Sequence, residues 1–207
     1  MSFSLRPLQP GDIGQTAEID REAFPTMWPP TNYRRELANN LAHYFVLCDD
    51  GRPAPREAGA AFTLAGRLKT LFLRGAAQQD MACYVAGYGG FWIMSGEAHI
   101  TSIAVRETYR RRGLGELLFI NLLKEAIRLG VQEVTLEVRV SNIIAQNLYL
   151  KYSFATKGVR RNYYLDNRED ALVMTLADAT SAVYAERLSQ FEEQHARKWG
   201  RFNGRPL

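Results

Sequence analysis

The chain has 207 residues, of which 46% are hydrophobic and 23% charged, with 26 Lys and Arg against 22 Asp and Glu. This is the make-up of one globular domain with a sizeable core, and it excludes disordered, fibrous and collagen-like classes. A net charge of +4 suits an anionic ligand and is too small to argue for direct nucleic-acid binding.

No stretch of about eighteen apolar residues predicts a membrane span, and the opening MSFSLRPLQPGD lacks the basic-then-apolar order of a secretion signal. Cys48 and Cys83 show neither metal-ligand spacing nor a disulfide framework, so two reduced, buried thiols in a cytoplasmic protein are expected.

In chain order, residues 3–8 (FSLRPL) predict a strand, and Pro10-Gly11-Asp12 turns the chain into a helix reaching about Phe24. AFPTMWPP cannot continue that helix, because Pro25, Pro29 and Pro30 forbid it. It reads as a rigid apolar loop before a second helix over about 31–40, and HYFVLC (43–48) is the next strand. Residues 49–81 break the rhythm: a Gly, Pro and Ala-rich stretch leads into FTLAGRLKTLFLRGA, which carries apolar and basic residues at helical spacing. From 82 to 94 the chain is strand-like again, and Ser95-Gly96 makes a hairpin turn.

The stretch Ala98–Gly115, AHITSIAVRETYRRRGLG, begins as an alternating strand and opens a helix at Arg112-Gly113-Leu114-Gly115. Glycines beside Arg110, Arg111 and Arg112 at a strand-to-helix corner let the backbone approach a ligand where the first helical N–H groups lack internal partners. The helix dipole adds positive potential, so a diphosphate fits there. The spacing R-x-x-G-x-G is neither the dinucleotide fingerprint nor a Walker loop. The helix that follows is apolar along Leu114, Leu117, Leu118, Leu122, Ala126 and Leu129, and Gly130 ends it. VTLEVRV (134–140) is a strand with Thr135, Glu137 and Arg139 on its polar face, and Ser141-Asn142 caps a helix running to Tyr152. Strands follow over about 154–161 and 171–176, with RRNYYLDNRED read as the loop between them. A charged helix from Asp178 to Trp199 carries Tyr184, Leu188, Phe191 and His195 along one side.

The pieces EAHITSIAV, YRRRGLG, LEVRVSN, AQNLYLKYSF, RRNYY and EDALVM, with the Phe24-Pro25 loop and GYGGFW, resemble the bacterial ribosomal-protein-alanine N-acetyltransferases of the GNAT superfamily. The resemblance covers about two-thirds of the chain and implies an α/β (α+β) fold. That fold is a mixed, mostly antiparallel sheet of about seven strands, flanked by helices and splayed between two neighbours to admit acetyl-CoA. Residues 1–176 would be the acetyltransferase domain, with 49–81 an insertion between two strands and 177–207 a helical extension. Ser153 stands where the family usually has glycine.

The resemblance also implies roles. Glu137 would be the general base and Tyr149 the acid that protonates the departing CoA sulfur. Left to the residues alone, Glu137 could be half of an ion pair with Arg139, Tyr149 could be plain core, and His99 is a rival base. Backbone of Ile103, Ala104 and Val105 would pair with the pantetheine arm. Arg110 to Arg112 and the amides through Gly113, Leu114 and Gly115 would hold the pyrophosphate, with Asn142 a further contact. Phe24, Pro25, Arg139, Tyr163 and Tyr164 would shape the acceptor site. No metal is expected. The implied activity is acetyl-CoA-dependent acetylation of a protein's N-terminal amine, most simply that of alanine on a small-subunit ribosomal protein, by direct transfer in a ternary complex. Two other readings stay open: a GNAT enzyme for a lysine side chain or small amine, and a non-catalytic acyl-CoA-binding module.

Overall fold

The structure, a computed structural model, describes residues 2–26, 30–54 and 83–200. The elements are β1 (Phe3–Pro7), α1 (Ile13–Ala23), α2 (Tyr33–Leu37), β2 (Ala42–Asp49), β3 (Tyr84–Met94), β4 (Glu97–Val105), α3 (Leu114–Arg128), β5 (Glu133–Arg139), α4 (Ile143–Lys151), β6 (Ala155–Tyr164), β7 (Glu169–Leu176) and α5 (Ala182–Trp199). The seven strands form one sheet in the order β1-β2-β3-β4-β5-β7-β6. Every neighbouring pair is antiparallel except β4 and β5. Among the described residues no helix is long and apolar enough to cross a membrane.

The β4–β5 pair positions the site. Its parallel ladder joins only Glu97–Ile100 to Glu133–Leu136. Beyond that point β4 stays paired with β3 as far as Val105, while β5 stays paired with β7 as far as Arg139. The two halves of the sheet therefore separate midway along the two strands. Helix α3 closes one face, with Leu118, Phe119, Ile120, Leu122 and Leu123 essentially without solvent exposure. Such side chains contribute about 1.5–3 kcal/mol each. On the other face α1 and α2 cover a second cluster built around Ile19, Tyr33, Tyr44 and Tyr88.

The α2 helix is shorter than its sequence predicts, starting at Asn32, whose side chain caps it by accepting from the Arg35 N–H. RRNYY is strand rather than loop: β6 runs on to Tyr164 across a register irregularity at which Asn162 takes a φ of 51°, and the turn is confined to residues 165–168. The expectation of two free thiols is also overturned. Cys48, at the end of β2, and Cys83, just before β3, form a disulfide with a Cα–Cα distance of 5.7 Å, because antiparallel pairing of β2 with β3 brings their ends together. The basic amphipathic helix read over 62–74, and Met27 and Trp28, lie outside the described residues.

At Ser153, φ is +70°, the left-handed region where glycine is at ease, and the buried hydroxyl has no hydrogen-bond partner among the described residues. Replacing it by glycine removes both costs, each about 1 kcal/mol, against the greater freedom of glycine in the unfolded chain. Ser153→Gly should raise the thermal unfolding midpoint by a few degrees. An unchanged or lowered midpoint would contradict this account.

Candidate active site

The corner after β4 starts from Arg106. Its buried guanidinium donates to Glu18 at 2.7 Å and Glu22 at 2.9 Å on α1, and its Nε donates to the Val85 carbonyl. The backbone then turns left-handed twice, with Arg111 at φ +60° and Gly113 at φ +74°. Alternation of hand between neighbouring residues turns successive N–H groups toward one point, the geometry of an anion nest. Gly113 is the N-cap of α3 and has no side chain to cap it, so the first-turn amides of Leu114, Gly115 and Glu116 have no intrahelical partner. Arg110 donates from Nε to the Val105 carbonyl at 3.2 Å, and Arg112 lies 5.4 Å from the Tyr109 ring centroid. Immediately upstream, Ile103 to Val105 pair with β3 on one side and lie past the end of the β4–β5 ladder on the other. Among the described residues this strand edge is unpaired, and it leads into an amide-lined, arginine-rich corner that fits a ligand with an amide-bearing arm and a diphosphate.

Across the opening, Glu137 lies on the polar face of β5, its side chain 7% exposed. His99 is its diagonal neighbour on the same face, since His99 pairs with Thr135 and Ile100 with Leu136. The His99 Nε2 donates to one Glu137 oxygen at 3.0 Å, and the Arg160 Nε donates to the other at 2.9 Å. Burial works to raise the Glu137 carboxyl, but His99 and Arg160 outweigh it and hold it below the ordinary carboxylate range. Glu137 is therefore an ionised carboxylate, and its ion pair is with Arg160, not Arg139.

Tyr149 projects from α4 between Phe119, at 5.1 Å between ring centroids, and Phe154, at 6.0 Å. Burial pushes its phenol up to about 12, with Tyr164 adding to the rise. Its hydroxyl makes no hydrogen bond among the described residues. The Tyr164 phenol, also pushed up to about 12 by burial, feels both Arg139 and Glu137 of β5. Tyr163 packs edge-on against it at 5.2 Å.

Arg139 is fully engaged. It donates to Asp166 at 2.9 and 3.0 Å and to Glu169 at 3.0 Å, and its guanidinium lies 3.8 Å from the Tyr164 ring centroid. Asp166 in turn accepts from the Thr26 hydroxyl at 2.5 Å, which ties the loop after Phe24 and Pro25 to the β6–β7 turn. Glu169 is held down to about 2 by Ser141, whose N–H donates to it at 2.7 Å, and by Arg139. Asn142 caps α4, its side chain accepting from the Ala145 N–H. Sequence reasoning missed Arg106 and Arg160. Arg160 sits inside the RRNYY motif, but its reach to Glu137 depends on β6 lying beyond β7, which no local pattern encodes.

Residues 57–154 match the Acetyltransferase (GNAT) family. A provisionally named ribosomal protein bS18-alanine N-acetyltransferase of Bacillus subtilis is 34% identical over 172 residues, covering 83% of this chain and 93% of that protein. An N-alpha-acetyltransferase of Sulfurisphaera tokodaii is 34% identical over 180 residues, covering 83% and 91%. The crystal structure of the ribosomal-protein-S18-alanine N-acetyltransferase of Escherichia coli superposes with a TM-score of 0.63 at 25% identity, covering 87% and 96%.

Because the folded pKa of Glu137 is depressed, its contribution to stability is fully present above the unfolded value of about 4.3 and is lost as pH falls through the folded value. The difference in melting temperature between wild type and Glu137→Gln should therefore be widest near neutral pH and shrink below about pH 4. A difference that stays constant through acid would contradict the ion-paired state.

Proposed function

The chain belongs to the GNAT acetyltransferase family, and on that footing we propose that it transfers the acetyl group of acetyl-CoA to the α-amine of a protein N-terminus, with the N-terminal alanine of a small-subunit ribosomal protein as its acceptor. The observation that carries this reading is the opening between β4 and β5, flanked by an arginine and glycine corner on one side and by Glu137 on the other. The match to an alanine N-acetyltransferase along most of both chains supports the acceptor.

In this reading the β4 edge at Ile103, Ala104 and Val105 pairs with the pantetheine amides. The corner from Arg110 through Arg111, Arg112, Gly113 and Leu114 to Gly115 receives the diphosphate, and Asn142 borders the same ligand. The bound cosubstrate supplies the thioester, and every proton movement belongs to the chain and the acceptor. An α-amine has a pKa near 8, so roughly a tenth of it is neutral at pH 7, against under a thousandth of a lysine amine. Glu137 need only accept the residual ammonium proton, directly or through a water, and its ionised state keeps it ready to do so. The amine nitrogen adds to the thioester carbon, the C–N bond forms and the C–S bond breaks. Tyr149 then donates its proton to the departing sulfur, and the proton that the new amide nitrogen sheds returns through solvent to the Tyr149 oxygen. A phenol raised to about 12 remains protonated until that thiolate develops, and its hydroxyl proton is uncommitted among the described residues. Both cysteines of the chain are in the disulfide, so direct transfer needs no acyl-cysteine step.

Tyr163, Tyr164, Phe24 and Pro25 form the walls for the acceptor's first residue. Arg139 acts through Tyr164, which it stacks against and fixes relative to the β6–β7 turn. A ribosomal acceptor puts the enzyme in the cytoplasm, where the Cys48–Cys83 bridge is unusual for an intracellular chain.

Two measurements test this. A peptide with a free N-terminal alanine should be acetylated at that amine, whereas the same peptide with a blocked N-terminus and an internal lysine should be inert. Modification of the lysine instead would overturn the acceptor class. Tyr149→Phe should lower kcat by roughly ten- to a thousandfold with CoA affinity nearly intact. Equal turnover would remove its role as acid.

A further inference from the structure

The reaction as derived leaves the C-terminal helix unused, yet its last two turns sit on the diphosphate corner. His195 is buried, and its Nε2 lies 2.9 Å from the carbonyl oxygen of Gly113. A carbonyl can only accept, so Nε2 carries the hydrogen. One turn further, the Trp199 indole lies against Gly113: a Cβ at that position would come within 2.6–2.7 Å of its Cδ1, Cγ and Nε1 atoms. Gly113 is thus confined twice, by its left-handed φ and by an aromatic wall contributed from 86 positions down the sequence. The helix carrying that wall is itself fastened. Phe191 packs on Tyr152 at 4.7 Å between ring centroids, and Glu192 pairs with Lys124 of α3 at 2.9 Å. Within the first turn of α3, Glu116 accepts from Lys151 at 2.6 Å and from the Tyr152 hydroxyl at 2.8 Å, so α4 and α5 both grip the start of α3.

We propose that His195 and Trp199 are positioning residues of the acetyl-CoA site, holding the Gly113 corner in the conformation that presents its amides to the diphosphate. In a trans peptide the C=O and the following N–H point in opposite directions. Fixing the Gly113 carbonyl toward His195 therefore fixes the Leu114 N–H away from it, on the outward side where an anion arrives. The same carbonyl accepts the first bond of α3 from the Leu117 N–H at 2.9 Å, at a helix end whose glycine tolerates either hand of backbone. His195 adds a second donor to that carbonyl, and the indole occupies the space the chain would need to leave this orientation. A corner ordered in advance binds without the loss of freedom that a mobile one suffers. The segment read from sequence as an extension beyond the acetyltransferase domain is then part of its cosubstrate machinery. This inference rests on the corner being the diphosphate site.

The test measures CoA binding by titration calorimetry on the full chain, alongside steady-state kinetics. Trp199→Ala and His195→Ala should each weaken CoA about tenfold and raise the KM for acetyl-CoA to match, while kcat at saturating acetyl-CoA and the KM for the acceptor peptide shift less than about twofold. His195→Gln, which keeps an N–H donor, should recover most of the affinity. Unchanged CoA affinity in both alanine variants, or a fall in kcat with affinity intact, would overturn the proposal while leaving the corner's assignment standing. A wild-type protein that does not bind CoA would overturn both. If the alanine variants do not fold, amide exchange on the wild-type chain decides. CoA should protect residues 113–115 and the last turn of α5 together, and protection of the corner with no change in that turn would refute the coupling.

Discussion

A parallel ladder that ends after four residue pairs is the constraint on which the rest depends. Parallel strands normally continue their hydrogen bonding as far as both run, and unpaired backbone inside a sheet is costly. Here β4 and β5 each keep a full partner on the outer side, so the sheet survives while its middle opens. The polar edge thus exposed is a requirement for a partner, and an extended ligand bearing amides meets it. The core under α3 joins residues of both halves and keeps them from drifting apart, whereas α1 and α2 cover the β1–β4 half.

Charge is distributed around this opening so that each group has one task. Glu137 is held by the His99 imidazole from β4 and the Arg160 guanidinium from β6 and stays ionised, whereas Tyr149 is surrounded by rings and stays neutral. The two environments drive a carboxyl down and a phenol up, so that a proton acceptor and a proton donor coexist at one pH, as the proposed transfer requires. Arg106, tied to Glu18 and Glu22, plays a different part: it fastens the corner to α1, the helix that leads into the Phe24-Pro25 loop.

Much of this was legible before any coordinates. Alternation along VTLEVRV and the apolar stripe from Leu114 to Leu129 are local signals, and they predict β5 and α3 with little error because burial acts on each element separately. The corner was legible because glycine and arginine have few other reasons to cluster there. What stayed hidden depends on contacts between distant elements. Arg160 reaches Glu137 across a strand order that the chain does not spell out, and RRNYY reads as loop because its side chains on an edge strand are mostly exposed and do not alternate. Nothing in the stripe of α5 says which surface it meets, so its docking on Gly113 could not be foreseen. Cys48 and Cys83 looked unrelated because the intervening segment conceals that β2 and β3 are adjacent.

That bridge has a consequence for how the protein tolerates change. With the stems of β2 and β3 joined by a covalent bond, strand alignment no longer relies on the span between them. Lengthening or rewriting that span adds only a slowly growing entropic cost to the unfolded chain. The bond thereby lets the strand ends keep their alignment from the sheet side, whatever the length of chain that joins them.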